Sequence, residues 1–446
     1  MKLNVKSSGF RQENLVMVVL SILLTVFYVY EFSQAYLLFF AIVIVCAIRT
    51  PAMGFAGWIM SYAYYYNIEE LFGIKAHFFL IPLALFSIMM FIVRGKKWSI
   101  SKGFAVFWFC IFVFSLVAML HSRDISRSVI PFVLININVF TLISLIAFCK
   151  KDPAAIRLIN KSIIFSVFSA FSSVLFSSGL AGIGRMGLGG NLRKMANTVS
   201  PAVIVTGCQL FFKQHVWGFN TDKPSKLANY VAFAFCVLVL LMTISRGAYL
   251  AVAVALAGTF LLAFFWGDVG KRVVRFVLLG IVFLTLLYFS IPIIDDYVLA
   301  GRFQRVALSN WGGNPRWEIW MGAISQLRPV EFLFGAGMGT YSDLELLTGH
   351  NYYAHSIYVD TLVTVGVPAF IVLVLFMLSS FLRAIKSRVP YSFALILLTT
   401  WLYSTHGTLS GSMEFWVLMG IGYASSYAFA DRTIVNASKG GVTDDG

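Results

Sequence analysis

With 446 residues, 59% hydrophobic side chains and only 12% charged ones, the chain is too apolar for a soluble enzyme and reads as a polytopic helical membrane protein. Its net charge of +15 gathers in connections on one side of the membrane, which sets orientation and favours contact with membrane lipid rather than nucleic acid. The five cysteines fall in apolar runs or at their ends, with no CxxC or Cys/His spacing, so neither a disulfide framework nor a metal site is expected.

In chain order, apolar runs near the ~20-residue length of a bilayer core predict about fourteen transmembrane helices. They lie at roughly 15–31, 33–48, 51–66, 76–93, 103–120, 128–148, 160–179, 196–212, 227–244, 247–266, 274–293, 357–382, 391–405 and 413–430. Met1–Asn14 is basic and polar, with no cleavable signal peptide expected, and belongs in the cytoplasm. The expected fold class is all-α: a single integral membrane domain over residues 1–446 with a short cytoplasmic tail, 431–446.

Two outer segments are more than turns. Residues 180–195 are basic and glycine-rich, which suits either a flexible loop or close backbone approach to a ligand. Residues 294–356 form one long outer loop inserted between spans. Within it, Asn314 and Pro315 read as N-cap and first residue of a helix. Trp317, Trp320, Met321, Ile324 and Leu327 then make one apolar face, an amphipathic helix suited to the membrane–water interface.

With the first segment inside, 23 of the 34 basic residues fall on the cytoplasmic side, and 14 of those are lysine. The outer face holds the other 11: Lys75, Arg123, Arg127, Arg185, Arg193, Lys194, Arg246, Arg302, Arg305, Arg316 and Arg328, nine of them arginine. The excess inside follows the positive-inside rule, but the arginine bias outside does not. Guanidinium grips phosphate in a planar, bidentate way, so the outer face suits a phosphorylated substrate.

Arg246 sits in Ser245-Arg246-Gly247 between two apolar runs, where a charge is costly and by default functional, although snorkelling to lipid phosphates would also place it there. Arg316 falls in the first turn of the predicted loop helix, where amide donors also face an anion. His355 opens the twelfth predicted span and titrates near neutrality, as a general base must; a capping or interfacial role is the plain alternative, and His350 is a competing base. Gly335-Ala336-Gly337-Met338-Gly339 does not follow a strand and reads as a turn rather than a nucleotide loop. Asp295-Asp296 makes no DxD-like pair, and neither metal nor cofactor is expected.

Ser245-Arg246-Gly247, then Arg316 with Trp317 and Trp320, then Gly335 to Gly339, then Ala354-His355-Ser356-Ile357-Tyr358 ahead of Val365-Gly366-Val367-Pro368, resemble in order and topology the O-antigen ligase and polymerase superfamily. These are bacterial inner-membrane glycosyltransferases of the GT-C type, and the resemblance covers roughly residues 180–380. It implies that Arg246 and Arg316 engage the diphosphate of an undecaprenyl-diphosphate-linked glycan donor and that His355 is the base for a glycan acceptor. Arg185, Arg193, Arg302, Arg305 and Tyr358 are then the supporting substrate-binding residues, and a polysaccharide chain-length regulator is an implied partner. Family members often carry Asn after the histidine, where this chain has Ser356.

The resemblance thus implies an inverting, metal-independent transferase acting at the periplasmic face. A polymerase is favoured over a ligase to lipid A–core, because the basic 180–195 segment offers a second arginine cluster for a second lipid diphosphate. A lipid-linked oligosaccharide flippase, a different class, would line its spans with charge, and these spans hold almost none. Both termini are expected in the cytoplasm: a reporter fused at residue 440 should report cytoplasm, and an outside signal there would overturn the topology.

Overall fold

The computed structural model describes residues 5–95, 100–151, 153–182, 192–212, 226–243, 245–266, 315–339, 354–404 and 407–429. Arg185, Arg302, Arg305, His350, the predicted span 274–293, most of the predicted loop 294–356 and the tail 431–446 lie outside the described residues. The described residues form helices and no strand. The chain folds as two compact units, Met1–Lys97 with Lys151–Val306, and Trp98–Lys150 with Ala307–Gly446.

The first unit contains α1 (Val5–Tyr30), α2 (Ser33–Arg49), α3 (Ala52–Tyr62), α4 (Tyr65–Phe72), α5 (His77–Val93), α8 (Pro153–Gly182), α9 (Leu192–Phe212), α10 (Lys226–Met242) and α11 (Arg246–Phe265). Its centre is α3, almost wholly buried against α5 and α8. Small residues allow that approach, as they do wherever helices meet in a membrane. A Cβ at Gly54 would stand 2.6 Å from the Leu83 carbonyl of α5, and one at Gly57 would meet Val43 of α2 at 2.5 Å. α4 ends at Gly73 in the left-handed region, and the chain then turns by 119° into α5.

The second unit contains α6 (Lys102–Leu120), α7 (Ile125–Lys151), α12 (Pro315–Ser325), α13 (Pro329–Phe334), α14 (Ile357–Thr364), α15 (Val367–Ser387), α16 (Pro390–Ser404) and α17 (Met413–Ala428). α16 and α17 form an antiparallel pair against α15, which in turn packs on α6. Gly420 of α17 lies against α7, where a Cβ would touch Leu142 and Leu145 at 3.2 Å.

Among the described residues, seven helices are long and apolar enough to cross a membrane, lying within α1, α6, α7, α8, α9, α11 and α15; the bent pair α4–α5 would make an eighth. The count of fourteen is not reached among the described residues. α2 and α10 are apolar but shorter, and the predicted span 51–66 is broken at Ala63-Tyr64 between α3 and α4.

The predicted span 357–382 is likewise two helices, α14 and α15, so the crossing starts at Val367 and not at residue 357. The cause is Gly366 at φ +96, followed by Pro368 in the first turn of α15. Glycine tolerates that conformation, and proline removes the amide that would continue the ladder.

This break leaves carbonyls at the end of α14 that need donors. The segment Gly335–Gly339 supplies them: Ala336 N–H donates to Val363 O at 2.8 Å and Gly337 N–H to Thr364 O at 3.2 Å. On its other side the Ala336 carbonyl accepts from Arg123 N–H, and the Met338 carbonyl accepts from the Ser128 hydroxyl. The expected turn is therefore a buried clasp joining the α6–α7 connection to the α14–α15 break. All three of its glycines have positive φ. A Cβ at Gly337 would lie 2.2 Å from Ser122 Oγ and 2.7 Å from Ser122 Cα. Gly337→Ala is therefore expected to destabilise the second unit by about 2–4 kcal/mol through strain and overpacking. Thermal unfolding in lipid nanodiscs would measure it, and an unchanged melting temperature would show the clasp to be dispensable.

Candidate active site around the start of α14

Ser356 is the N-cap of α14: its side chain accepts the Val359 amide. Serine and asparagine are equivalent caps, so the Ser at this position keeps the local geometry. His355, one residue earlier, is half-buried and adopts φ +49. That left-handed conformation is uncommon but enriched for His among non-glycine residues. Before it, the carbonyl of buried Ala354 accepts a 2.6 Å hydrogen bond from Trp320 Nε1 of α12.

Arg316 lies in the first turn of that same α12. The helix starts at Pro315, as the sequence predicts, and ends at Ser325, leaving Leu327 in the following turn. The predicted apolar face divides between packed and exposed side chains. Trp317 is 65% exposed and Met321 48% exposed, while Ile319, Ala323, Ile324 and Leu327 pack with Ala354, Val359 and Val363. The small Ala323 opposite Ala354 lets α12 settle on α14, which turns the bulky Trp317 outward. α12 thus rests on the start of α14 and connects Arg316 and His355 through one packed contact.

Tyr358 is in the first turn of α14, and its hydroxyl donates to the Thr400 carbonyl of α16 at 3.0 Å. Asp360 is buried, and its Oδ2 accepts the Leu409 amide at 2.7 Å. Leu409 lies in the α16–α17 connection, which is fastened again by Asn138 Nδ2 to Ser410 O at 2.8 Å and Trp416 Nε1 to Leu409 O at 3.1 Å. The end of the second unit that carries His355 is thus fastened to α12, α16 and the α16–α17 connection.

In the first unit Arg246 is the first residue of α11, after a short turn in which the Tyr249 hydroxyl reaches back to Leu241 O. Arg193 is the second residue of α9. Next to it Lys194 is buried, its ammonium 3.2 Å from the ring centroid of Tyr62 and 5.0 Å from that of Tyr65. The Tyr65 hydroxyl in turn meets His77 Nε2 at 3.1 Å. Arg246 and Arg193 thus belong to the first unit, and Arg316, His355 and Tyr358 to the second.

The arginine bias is in part structural. Arg123 makes a bidentate pair with Glu331, Nε to Oε1 at 2.7 Å and Nη2 to Oε2 at 2.8 Å. Arg328 adds a guanidinium contact to Glu331 Oε1 at 2.6 Å and its own amide to Oε2 at 2.9 Å. Arg127 pairs with Asp124 at 3.1 Å, and Lys75 with Glu69 at 3.4 Å. The last two are exposed and contribute little. Glu331 is different, being fully buried with both oxygens engaged. Burial alone would raise its carboxyl pKa, but the Arg123 and Arg328 hydrogen bonds reverse this and bring it from 4.5 down to about 2. Residues 123 and 331 stand 208 positions apart, which is why no sequence pattern shows the pair.

The architecture and this charged end define a helical membrane protein with a cationic, histidine-bearing face. Residues 231–374, about a third of the chain, match the family model described as O-Antigen ligase. The match supports the O-antigen ligase and polymerase superfamily, and the matched stretch takes in Arg246, Arg316, the clasp, His355 and Gly366. A comparison with curated proteins gives no significant match.

The Glu331 carboxylate has a folded pKa below its unfolded value, so its stabilisation is complete above about pH 4.5 and is lost as pH falls toward 2. Glu331→Gln is expected to cost about 1.5–3 kcal/mol at neutral pH. The gap between wild type and variant melting temperatures should close below pH 4.5. A gap independent of pH would remove the ion cluster from the account.

Proposed function

We propose that this protein is a periplasmic-face glycosyltransferase that polymerises undecaprenyl-diphosphate-linked repeat units into O-antigen or a related surface polysaccharide, with inversion and without a metal. The matched family supports the substrate class, a lipid-linked glycan. The observation that carries the catalytic reading is the Trp320–Ala354 hydrogen bond, which fixes the helix of Arg316 to the residue before His355.

In this mechanism Arg246 and Arg316, helped by Arg185, Arg193, Arg302 and Arg305, hold the donor diphosphate and stabilise the charge that grows on it as the sugar–phosphate bond breaks. His355 takes the proton from the acceptor hydroxyl, and attack from the face opposite the diphosphate inverts the anomeric centre. A diphosphate clamped by guanidinium is a good leaving group, so the reading needs no metal. The amphipathic α12, with Trp317 and Met321 outward, serves as the interfacial lid.

The ligase reading is the alternative, favoured by the description of the matched family. The two differ only in acceptor: a second lipid-linked unit for a polymerase, lipid A–core for a ligase. A deletion strain discriminates them, since single-repeat caps on the core indicate a polymerase and unattached lipid-linked polymer a ligase.

Arg316→Ala and Arg246→Ala are each expected to lose about 1.5–3 kcal/mol of transition-state stabilisation, with poor rescue by Lys. His355→Ala should lower turnover about 10²–10⁴-fold while leaving donor binding nearly intact. Polymer assays on purified variants of normal membrane abundance would measure both. Full activity in both arginine variants would reduce those residues to lipid anchors, and full activity of His355→Ala would hand the base role to His350.

A further inference from the structure

The end of the second unit opposite His355 carries cations of another kind. Lys150 lies in the last turn of α7, and Arg383 in the final turns of α15. Both are drawn onto one ring of α17: Lys150 Nζ stands 4.8 Å from the Tyr427 centroid and the Arg383 guanidinium carbon 3.7 Å. The two charges can be no further apart than those distances together, which is about one Debye length at 0.1–0.15 M salt.

Near the clasp, Arg123, Arg127 and Arg328 each have a carboxylate. Lys150 and Arg383 have none among the described residues, and the buried Arg383 Nε has no hydrogen-bond acceptor. Two like charges gathered on one ring repel each other. A cation–π contact with tyrosine contributes about 0.5–1 kcal/mol at an exposed site, which does not by itself explain bringing both there. An anion between them would remove the repulsion and accept from Nε.

Leu382 and Ile385, on either side of Arg383, are exposed apolar side chains. A ligand that meets cations and apolar surface together is amphiphilic. We propose that Lys150, Arg383 and Tyr427 form a binding site for an anionic phospholipid, its phosphate between the two cations and its acyl chain along α15. Basic pockets between transmembrane helices are the recognised form of such sites. The assignment stands independently of the transferase chemistry.

The test uses the full chain in phosphatidylcholine nanodiscs titrated with phosphatidylglycerol, with bound lipid counted by native mass spectrometry. Wild type should prefer phosphatidylglycerol, and Lys150→Gln and Arg383→Gln should each weaken that binding about fivefold, at roughly 1 kcal/mol per lost cation. Lys150 is exposed, so its variant tests the site without disturbing the fold. Arg383→Lys, which keeps the charge, should retain most of the preference. No preference in wild type, or undiminished preference in the double Gln variant, would overturn the site. So would an equal effect of inorganic phosphate, which would leave an anion site without lipid specificity.

Discussion

In the interior of a membrane protein, every amide and carbonyl must find its partner within the chain, because the bilayer offers none. The α14–α15 break opens that obligation at Thr361 to Gly366, and the structure answers it twice. Val365 and Gly366 N–H turn back onto Thr361 O, while the Val363 and Thr364 carbonyls accept from the clasp. Gly366 is pressed so close that a Cβ would lie 2.3 Å from Leu333 O. The arrangement that carries His355 is therefore set by backbone hydrogen bonding first and by side chains second.

Charge is handled differently at the two ends of this unit. Near the clasp, Glu331 is buried among Arg123, Arg328 and the first turn of α13, a structural use of guanidinium. A buried carboxylate with both oxygens engaged specifies geometry more than it stabilises it. Arg316, in the first turn of α12, lies on the helix whose Trp320 bonds the carbonyl of Ala354, the residue before His355. At the far end the cations meet one tyrosine ring instead. An outward arginine count alone cannot separate these uses, because each depends on which carboxylate the fold brings near.

Much of the fold was legible in the sequence. Apolar runs gave most helices within a few residues, because a bilayer-length hydrophobic segment has few other solutions. Pro315 was recognisable as a helix start. The breaks at residues 63–64 and 365–366 were not, since a hydropathy window averages over one glycine or one short turn. At the candidate site, His355, Arg316 and Arg246 carried local signals. Glu331, Asp360 and Lys194 did not: their roles come from Arg123, Leu409 and the Tyr62–Tyr65 pair, all remote in sequence. Periodicity marked the apolar face of α12 but not which flank of it finds a partner in the fold.

Gly339 and Ala354 are both held by the folded unit. A Cβ at Gly339 would meet Arg127 O at 2.8 Å, and Ala354 is buried under Trp320. With both anchors fixed, adding residues between them costs little more than loop-closure entropy, about 0.6 kcal/mol per doubling of length. The seat of His355 is therefore set by the clasp, α12 and α14, whatever the length of chain that joins Gly339 to Ala354.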